Sequence, residues 1–203
     1  HSHDPINKGY YQSLNRDGSP ILRDSTFDST SEIGYKDQNS SIHLLEAFTE
    51  LYKVWPEKLV AERLEELLLL IRNTIVNDRN YMNLFFEPDW TPVTFNEETK
   101  DIIKKHYYLD HVSFGHDVEI AYLMLEASEI LKRKDTEETL LKGKMMVDHA
   151  IENGWDKAFG GFYDGGYYFG ADQSLTIVNS DKNWWSQAEG LNTLLIMQHH
   201  FPN

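Results

Sequence analysis

The sequence contains no cysteine. That excludes a disulfide scaffold and every thiolate metal site, while leaving the compartment open. Cations are scarce: 19 Lys+Arg stand against 33 Asp+Glu, a formal net charge of −14. A chain with so little basic surface has little hold on a phosphate backbone, which argues against nucleic acid as a partner. Apolar runs are short. Leu67–Ile71 falls far below the roughly twenty residues needed to cross a bilayer, so no membrane partner is expected. No Gly-rich phosphate loop, nucleophile elbow or His-Glu-x-x-His motif occurs. The chain opens His1-Ser2-His3-Asp4 with no initiator Met, apolar leader or basic n-region, and the expected location is cytoplasmic.

What is present is aromatic and repetitive. Aromatics make up 13% of the residues, including five Trp and eleven Tyr, which suits a pocket that stacks on flat faces or simply a ring-rich core. One unit recurs three times. Each copy opens with a hairpin signal: Gly9-Tyr10-Tyr11 to the Asn15–Gly18 turn, Leu84-Phe85-Phe86 to Glu87-Pro88-Asp89, and Gly161-Phe162-Tyr163 to Asp164-Gly165-Gly166. Gly160-Gly161 and Gly165-Gly166 read as turns. Each hairpin is followed by a loop and a helix with a polar or aromatic head. The heads begin at Asn39-Ser40-Ser41-Ile42-His43, Gly115-His116-Asp117 and Asn183-Trp184-Trp185; 73 residues separate His43 from His116 and 69 separate His116 from Trp185.

The head-bearing helices, 42–54, 116–131 and 184–197, carry apolar or small residues on most faces, among them Ala47, Ala121, Ala127 and Ala188, and are expected to be buried. Between them, 57–76 and 136–152 are amphipathic. The first puts Leu59, Leu64, Leu67, Leu68 and Ile71 on one side, the second Leu140, Leu141, Met145, Val147 and Ile151. Asn153-Gly154 is expected to end the latter in a left-handed cap. An inner helix, an outer helix and a hairpin, repeated, predict two concentric helical layers. The inner heads then gather at one mouth.

Two heads read His-x-x-Glu: His43 with Glu46, and His116 with Glu119. At i, i+3 the two side chains share a helix face, so the carboxylate can hold the imidazole in one tautomer, and an oriented neutral imidazole is a credible general base. His106 and His111 fall in a polar loop and are given only surface or hydrogen-bonding roles. His149, His199 and His200 read as structural or exposed. Adjacent Trp184 and Trp185 point about 100° apart on a helix, so one ring can face the mouth, where an indole stacks on the C–H side of a sugar. Trp90, Tyr163, Tyr167 and Tyr168 fit either rim contacts or hairpin packing. A di-iron bundle would need Glu-x-x-His on two helices and lone glutamates on two more; the order here is reversed, and no metal is expected.

On the segments Asp37–Ala47, Val112–Glu119 and Lys182–Glu189 the chain resembles the N-acylglucosamine 2-epimerase and cellobiose 2-epimerase superfamily of (α/α)6 barrels. The wording is most similar to the cellobiose 2-epimerases, since N-acylglucosamine epimerases lack the first histidine and this chain has His43. The resemblance implies an all-α partial (α/α)6 barrel over 1–203, roughly the C-terminal-central half. It would lack the N-terminal helices, with their substrate-binding Arg, and a C-terminal segment with the second catalytic His, so this stretch alone is expected to be inactive. It implies acid/base work for His116 with support from Glu119, ring opening or oxygen binding by His43, and a sugar site of Asn39, Trp184 and Trp185 with Glu46 and Glu189. The implied reaction is cofactor-free inversion at C2 of a small-molecule sugar. Aldose–ketose isomerisation, N-acylglucosamine epimerisation and a non-catalytic sugar-binding toroid are the alternatives.

Overall fold

The computed structural model describes residues 1–170 and 174–202. Among these residues lie six α-helices: α1 Gln38–Val54, α2 Lys58–Leu70, α3 Lys100–His106, α4 Phe114–Ile130, α5 Thr136–Gly154 and α6 Trp184–His200. There are five short strands: β1 Lys36–Asp37, β2 Phe85–Phe86, β3 Val112–Ser113, β4 Gly165–Tyr168 and β5 Leu175–Asn179. Helices α1, α4 and α6 form an inner row, with α4 in the middle touching both neighbours, while α2 and α5 pack behind them. This is the double layer that the repeat predicts. No helix among the described residues is long and apolar enough to cross a membrane.

Burial of the inner row is uneven. Helix α4 is buried on nearly every face, from Phe114 and Val118 to Ala127 and Ser128. Helix α6 buries only the stripe Ser186, Gly190, Thr193 and Met197, and α1 only Gln38, Ser41, Ile42, Leu45 and Thr49. Ala47 and Ala188 are therefore exposed, contrary to expectation, because α1 and α6 each have a neighbour on one side only. The outer helices meet expectation less evenly. Leu64, Leu67, Leu68 and Ile71 are buried but Leu59 is exposed, and α2 ends in a π-helical turn at Ile71–Ile75. On α5 the buried face is Thr139, Leu140, Gly143, Met146, Val147 and Ala150; Leu141, Met145 and Ile151 face out. The true stripe follows the 3.6-residue period through two small residues that do not look apolar.

Two glycine readings are corrected. Gly154 is the last residue of α5 and has no left-handed backbone; it is needed because a Cβ there would lie 2.4 Å from the Phe114 ring. Gly165 and Gly166 are not a turn but the start of β4, where a Cβ on Gly166 would strike Leu175. The pair lets β4 sit between β3 and β5. Gly160 and Gly161 do turn, both at positive φ. Trp90 and Tyr167 belong to packing, not to a rim: the Trp90 indole donates to the Asn7 carbonyl at 3.0 Å, and the Tyr167 hydroxyl donates to Asp110 at 2.7 Å.

The long first loop is tied down by a buried cation. The Lys36 ammonium donates to Asp4 Oδ2 at 2.8 Å and to the carbonyls of Lys8 and Pro88. A desolvated charge is tolerated only when paired and fully hydrogen-bonded. The arrangement holds Tyr10, Tyr11 and Gln12 beside the head of α1.

Candidate active site at the heads of the inner helices

Helices α1 and α4 each start where an extended segment is pinned by a later one, and α6 where it grips an earlier one. Lys36–Asp37 pairs antiparallel with Phe85–Phe86, and the Gln38 amide donates to the Leu84 carbonyl. Val112–Ser113 pairs with Gly165–Gly166. At α6 the Gln187 amide clamps Phe162, accepting from its N–H at 2.8 Å and donating to its carbonyl at 2.9 Å. The heads of α4 and α6 are pressed together: a Cβ on Gly115 would fall 2.3 Å from Ser186 Oγ and 2.7 Å from the Trp185 ring.

His116 lies in this junction. Its Nε2 is 3.2 Å from Asn39 Oδ1 and its Nδ1 is 2.7 Å from Ser113 Oγ. A carbonyl oxygen only accepts, so Nε2 carries the proton and the Ser113 hydroxyl donates to Nδ1. The Trp185 ring lies 4.8 Å away, centroid to centroid. Burial above all, then the neighbouring His111 and His43, pushes the His116 imidazole down to about 4, so it is neutral at physiological pH. The expected pairing with Glu119 does not form, because Ser113, one residue before the helix, already holds the ring.

Glu119 instead faces inward beside other acids. It is 7% exposed, and burial, opposed by His43 and reinforced by Glu189 and Glu46, raises its carboxyl to about 7. The Tyr122 hydroxyl donates to Glu189 at 2.9 Å. The first His-x-x-Glu pair does form: His43 Nδ1 lies 3.2 Å from Glu46 Oε2, with both side chains half exposed. Trp184 is 81% exposed and stands outside this cluster.

Two clefts meet at Asn39. One, of about 260 Å³, is lined by Gln12, Glu32, Asp37, Gln38, Tyr108, His111, Ser113 and His116. The other runs over Tyr10, Tyr11, Gln12, Ser40 and His43. Asp37 caps α1, its Oδ1 accepting from the Ser40 amide at 2.6 Å, and burial raises its carboxyl. Sequence reasoning missed Ser113, Asp37 and His111 as cleft residues. The signal for the first two was their place just before a helix, where Ser and Asp are favoured as caps. His106 and His111 are not in a loop exposed to solvent. His106 closes α3, buried and stacked on Phe95 at 4.3 Å, and His111 lines the cleft. His149 is buried against Tyr81 and Tyr168, while His199 and His200 are exposed.

Paired helical layers with histidine-bearing inner heads gathered at one mouth define a member of the (α/α)6-barrel class, of which this chain forms about half. The sequence pattern of N-acylglucosamine 2-epimerase (GlcNAc 2-epimerase) matches residues 4–201. The chain belongs to that family. It is 28% identical over 192 residues to the cellobiose 2-epimerase of Bacteroides fragilis, covering 93% of this chain and 43% of that one. To the cellobiose 2-epimerase of Ruminococcus albus it is 28% identical over 157 residues, 77% of this chain and 34% of the relative. Among solved structures it superposes on the cellobiose 2-epimerase of Spirochaeta thermophila with a TM-score of 0.73 at 23% identity, covering 100% of this chain and 45% of the other. It superposes on a D-mannose isomerase with a TM-score of 0.69 at 21% identity, covering 96% and 43%. The chain thus spans less than half the length of these relatives.

Proposed function

We propose that the protein works as a sugar 2-epimerase, inverting C2 of the reducing-end glucose of a disaccharide of the cellobiose type. The observation that carries this reading is His116, held between Asn39 and Ser113 against the Trp185 ring. The chemistry dictates what such a site must do. Only the open-chain aldehyde acidifies the C2 proton, so the hemiacetal opens first. A base then removes that proton, giving an enediolate whose oxygens need hydrogen-bond donors. Return of a proton to the opposite face gives the epimer.

His116 is suited to both directions of that proton traffic. Serine is tautomer-neutral: its hydroxyl donates to Nδ1 when Nε2 bears the proton, and accepts from Nδ1–H when Nε2 is bare. One ring can then serve as acid at Nε2, and as base there once substrate displaces the Asn39 carbonyl oxygen that otherwise holds Nε2 as N–H. His43, fixed by Glu46, is assigned to ring opening or to holding sugar oxygens, and Trp185 to stacking on the ring face. Glu46, Glu119 and Glu189 complete the proposed set, Glu119 as a carboxyl poised to exchange a proton near neutrality, while the exposed Trp184 lies outside it. Localisation in the cytoplasm and independence of cofactors belong to the same proposal.

The test is incubation of the full-length protein with cellobiose in D₂O. Deuterium at C2 together with a glucosyl-mannose product is expected; absence of both refutes the reading. Aldose–ketose isomerisation is the second reading, favoured by the presence of both His43 and His116. A ketose as the main product, with the proton delivered to C1, would establish it instead.

A further inference from the structure

Three histidines stand near the mouth, and the mechanism above uses only His43 and His116. His111 follows the 3-10 turn Tyr107–Leu109 and precedes β3. Its Nδ1 is 3.1 Å from the Tyr107 carbonyl oxygen. Because a carbonyl only accepts, Nδ1 must carry the ring proton and Nε2 keeps its lone pair. Among the described residues that Nε2 has no hydrogen-bond partner. The ring lines the same cleft as Asn39, Ser113 and His116. It is also pinned there, with Tyr107 and Tyr108 leaning on it at 5.5 and 6.4 Å and Gly165 close behind. Burial holds the imidazole below its usual range, so the lone pair stays unprotonated near neutrality.

The rest of that cleft wall is polar but carries no cation: amides of Gln12, Gln38 and Asn39, hydroxyls of Tyr108 and Ser113, and two carboxyl side chains. Glu32 is the carboxylate at the rim, its Oε2 accepting from the Tyr108 hydroxyl, and no Lys or Arg lines the cleft. Uncharged donors and acceptors with a carboxylate and no cation suit ligands that bring O–H groups and turn away ligands that bring negative charge. His116 places its Nε2–H, shared with Asn39 Oδ1, in this cleft, and His111 a bare Nε2. A sugar hydroxyl is donor and acceptor at once, so neighbouring hydroxyls match such a pair.

We propose that His111 is a substrate-binding and specificity residue, accepting a hydroxyl hydrogen bond from an uncharged saccharide in the cleft it shares with His116, in a setting that rejects sugar phosphates. The proposal rests on the sugar-binding reading of the site and assigns His111 no part in proton transfer to carbon.

The test titrates the purified protein with cellobiose and, separately, with glucose 6-phosphate, following the imidazole nitrogens by NMR and binding by calorimetry. Wild-type protein should show His111 protonated at Nδ1, perturbation of its Nε2 by cellobiose, and far weaker binding of the phosphate. His111→Asn keeps an N–H for the Tyr107 carbonyl but removes the cleft acceptor. It should weaken cellobiose binding roughly five- to tenfold, the effect of losing one neutral hydrogen bond, with little change in Tm. His111→Gln, whose amide oxygen reaches the place of Nε2, should recover part of that loss. Equal binding by the Asn variant overturns the proposal, as does an Nε2–H tautomer or a preference for the phosphate. If wild-type protein exchanges C2 while His111→Asn is indistinguishable from it, only the role of His111 falls. If wild-type neither binds a neutral saccharide nor exchanges C2, the proposed function falls with it.

Discussion

The heads of α1 and α4 carry the same spacing, His-x-x-Glu, and do different things with it. At α1 the carboxylate of Glu46 accepts from His43 Nδ1, out in solvent, and fixes one tautomer. At α4 the ring of His116 is buried against Trp185 and bonded to Ser113 and Asn39, while Glu119 sits among other acids with its proton retained to about 7. A helical repeat places two residues on one face; it does not decide whether they meet. Here the choice falls to burial and to the residue just before the helix. A hydroxyl at that position takes Nδ1 in place of a carboxylate one turn further on, while the Asn39 carbonyl oxygen holds Nε2 as the N–H.

The sharpest way to break this contrast is to remove the buried ring. His116→Asn should lower C2 exchange by about two to four orders of magnitude, the usual worth of a positioned acid or base, whereas His43→Asn should leave measurable exchange. Equal losses in deuterium incorporation would erase the distinction between the heads. Next comes the contact that buries His116. Gly115→Ala drives a methyl into Ser186 and the Trp185 ring, and should cost on the order of 1–3 kcal/mol in a denaturant melt, because neither neighbour is at the end of a long flexible chain.

Glu119 gives a smaller effect with a defined sign. Its folded carboxyl titrates above the ordinary glutamate range, so the folded state binds the extra proton and stability falls as pH rises from that range through about 7. Glu119→Gln should therefore stabilise the fold by about 1–2 kcal/mol at pH 8, after allowing for partial solvent access, and by nothing below about pH 5. Tm measured across pH for both proteins checks it. His116 runs the other way: its depressed value means stability is lost as pH falls from the usual imidazole range toward about 4. The least effect is expected at the exposed pair, where Glu46→Gln should shift stability by less than about 0.5 kcal/mol.

Much of the architecture was legible because it repeats. Recurrent heads and amphipathic spacers located α1, α2, α4, α5 and α6, and the head residues His43, Asn39, His116 and Trp185 all reach the mouth. What stayed hidden depends on through-space neighbours. The seven-residue α3 is mostly polar and is set by its Thr99 cap, whose side chain accepts from Ile102, so no apolar period announces it. Gly154 and Gly165-Gly166 look like turn formers, yet each is dictated by a ring or side chain far away in sequence. His111 looked like a loop residue because its cleft is made by Asp37 of β1, Phe85 of β2 and Ser113 of β3, which come from separate repeats.

The pairing of the strands has a consequence for the order in which the chain can become itself. Asp37 meets Phe85 and Ser113 meets Gly165, so each histidine head is clasped by a segment about fifty residues downstream. On a ribosome making the chain from its N-terminus, α1 is complete long before the strand that seats its head has emerged, and α4 likewise waits for the next hairpin. Helices can form early and locally, but the mouth closes one repeat late, in a succession that the threading of the chain imposes.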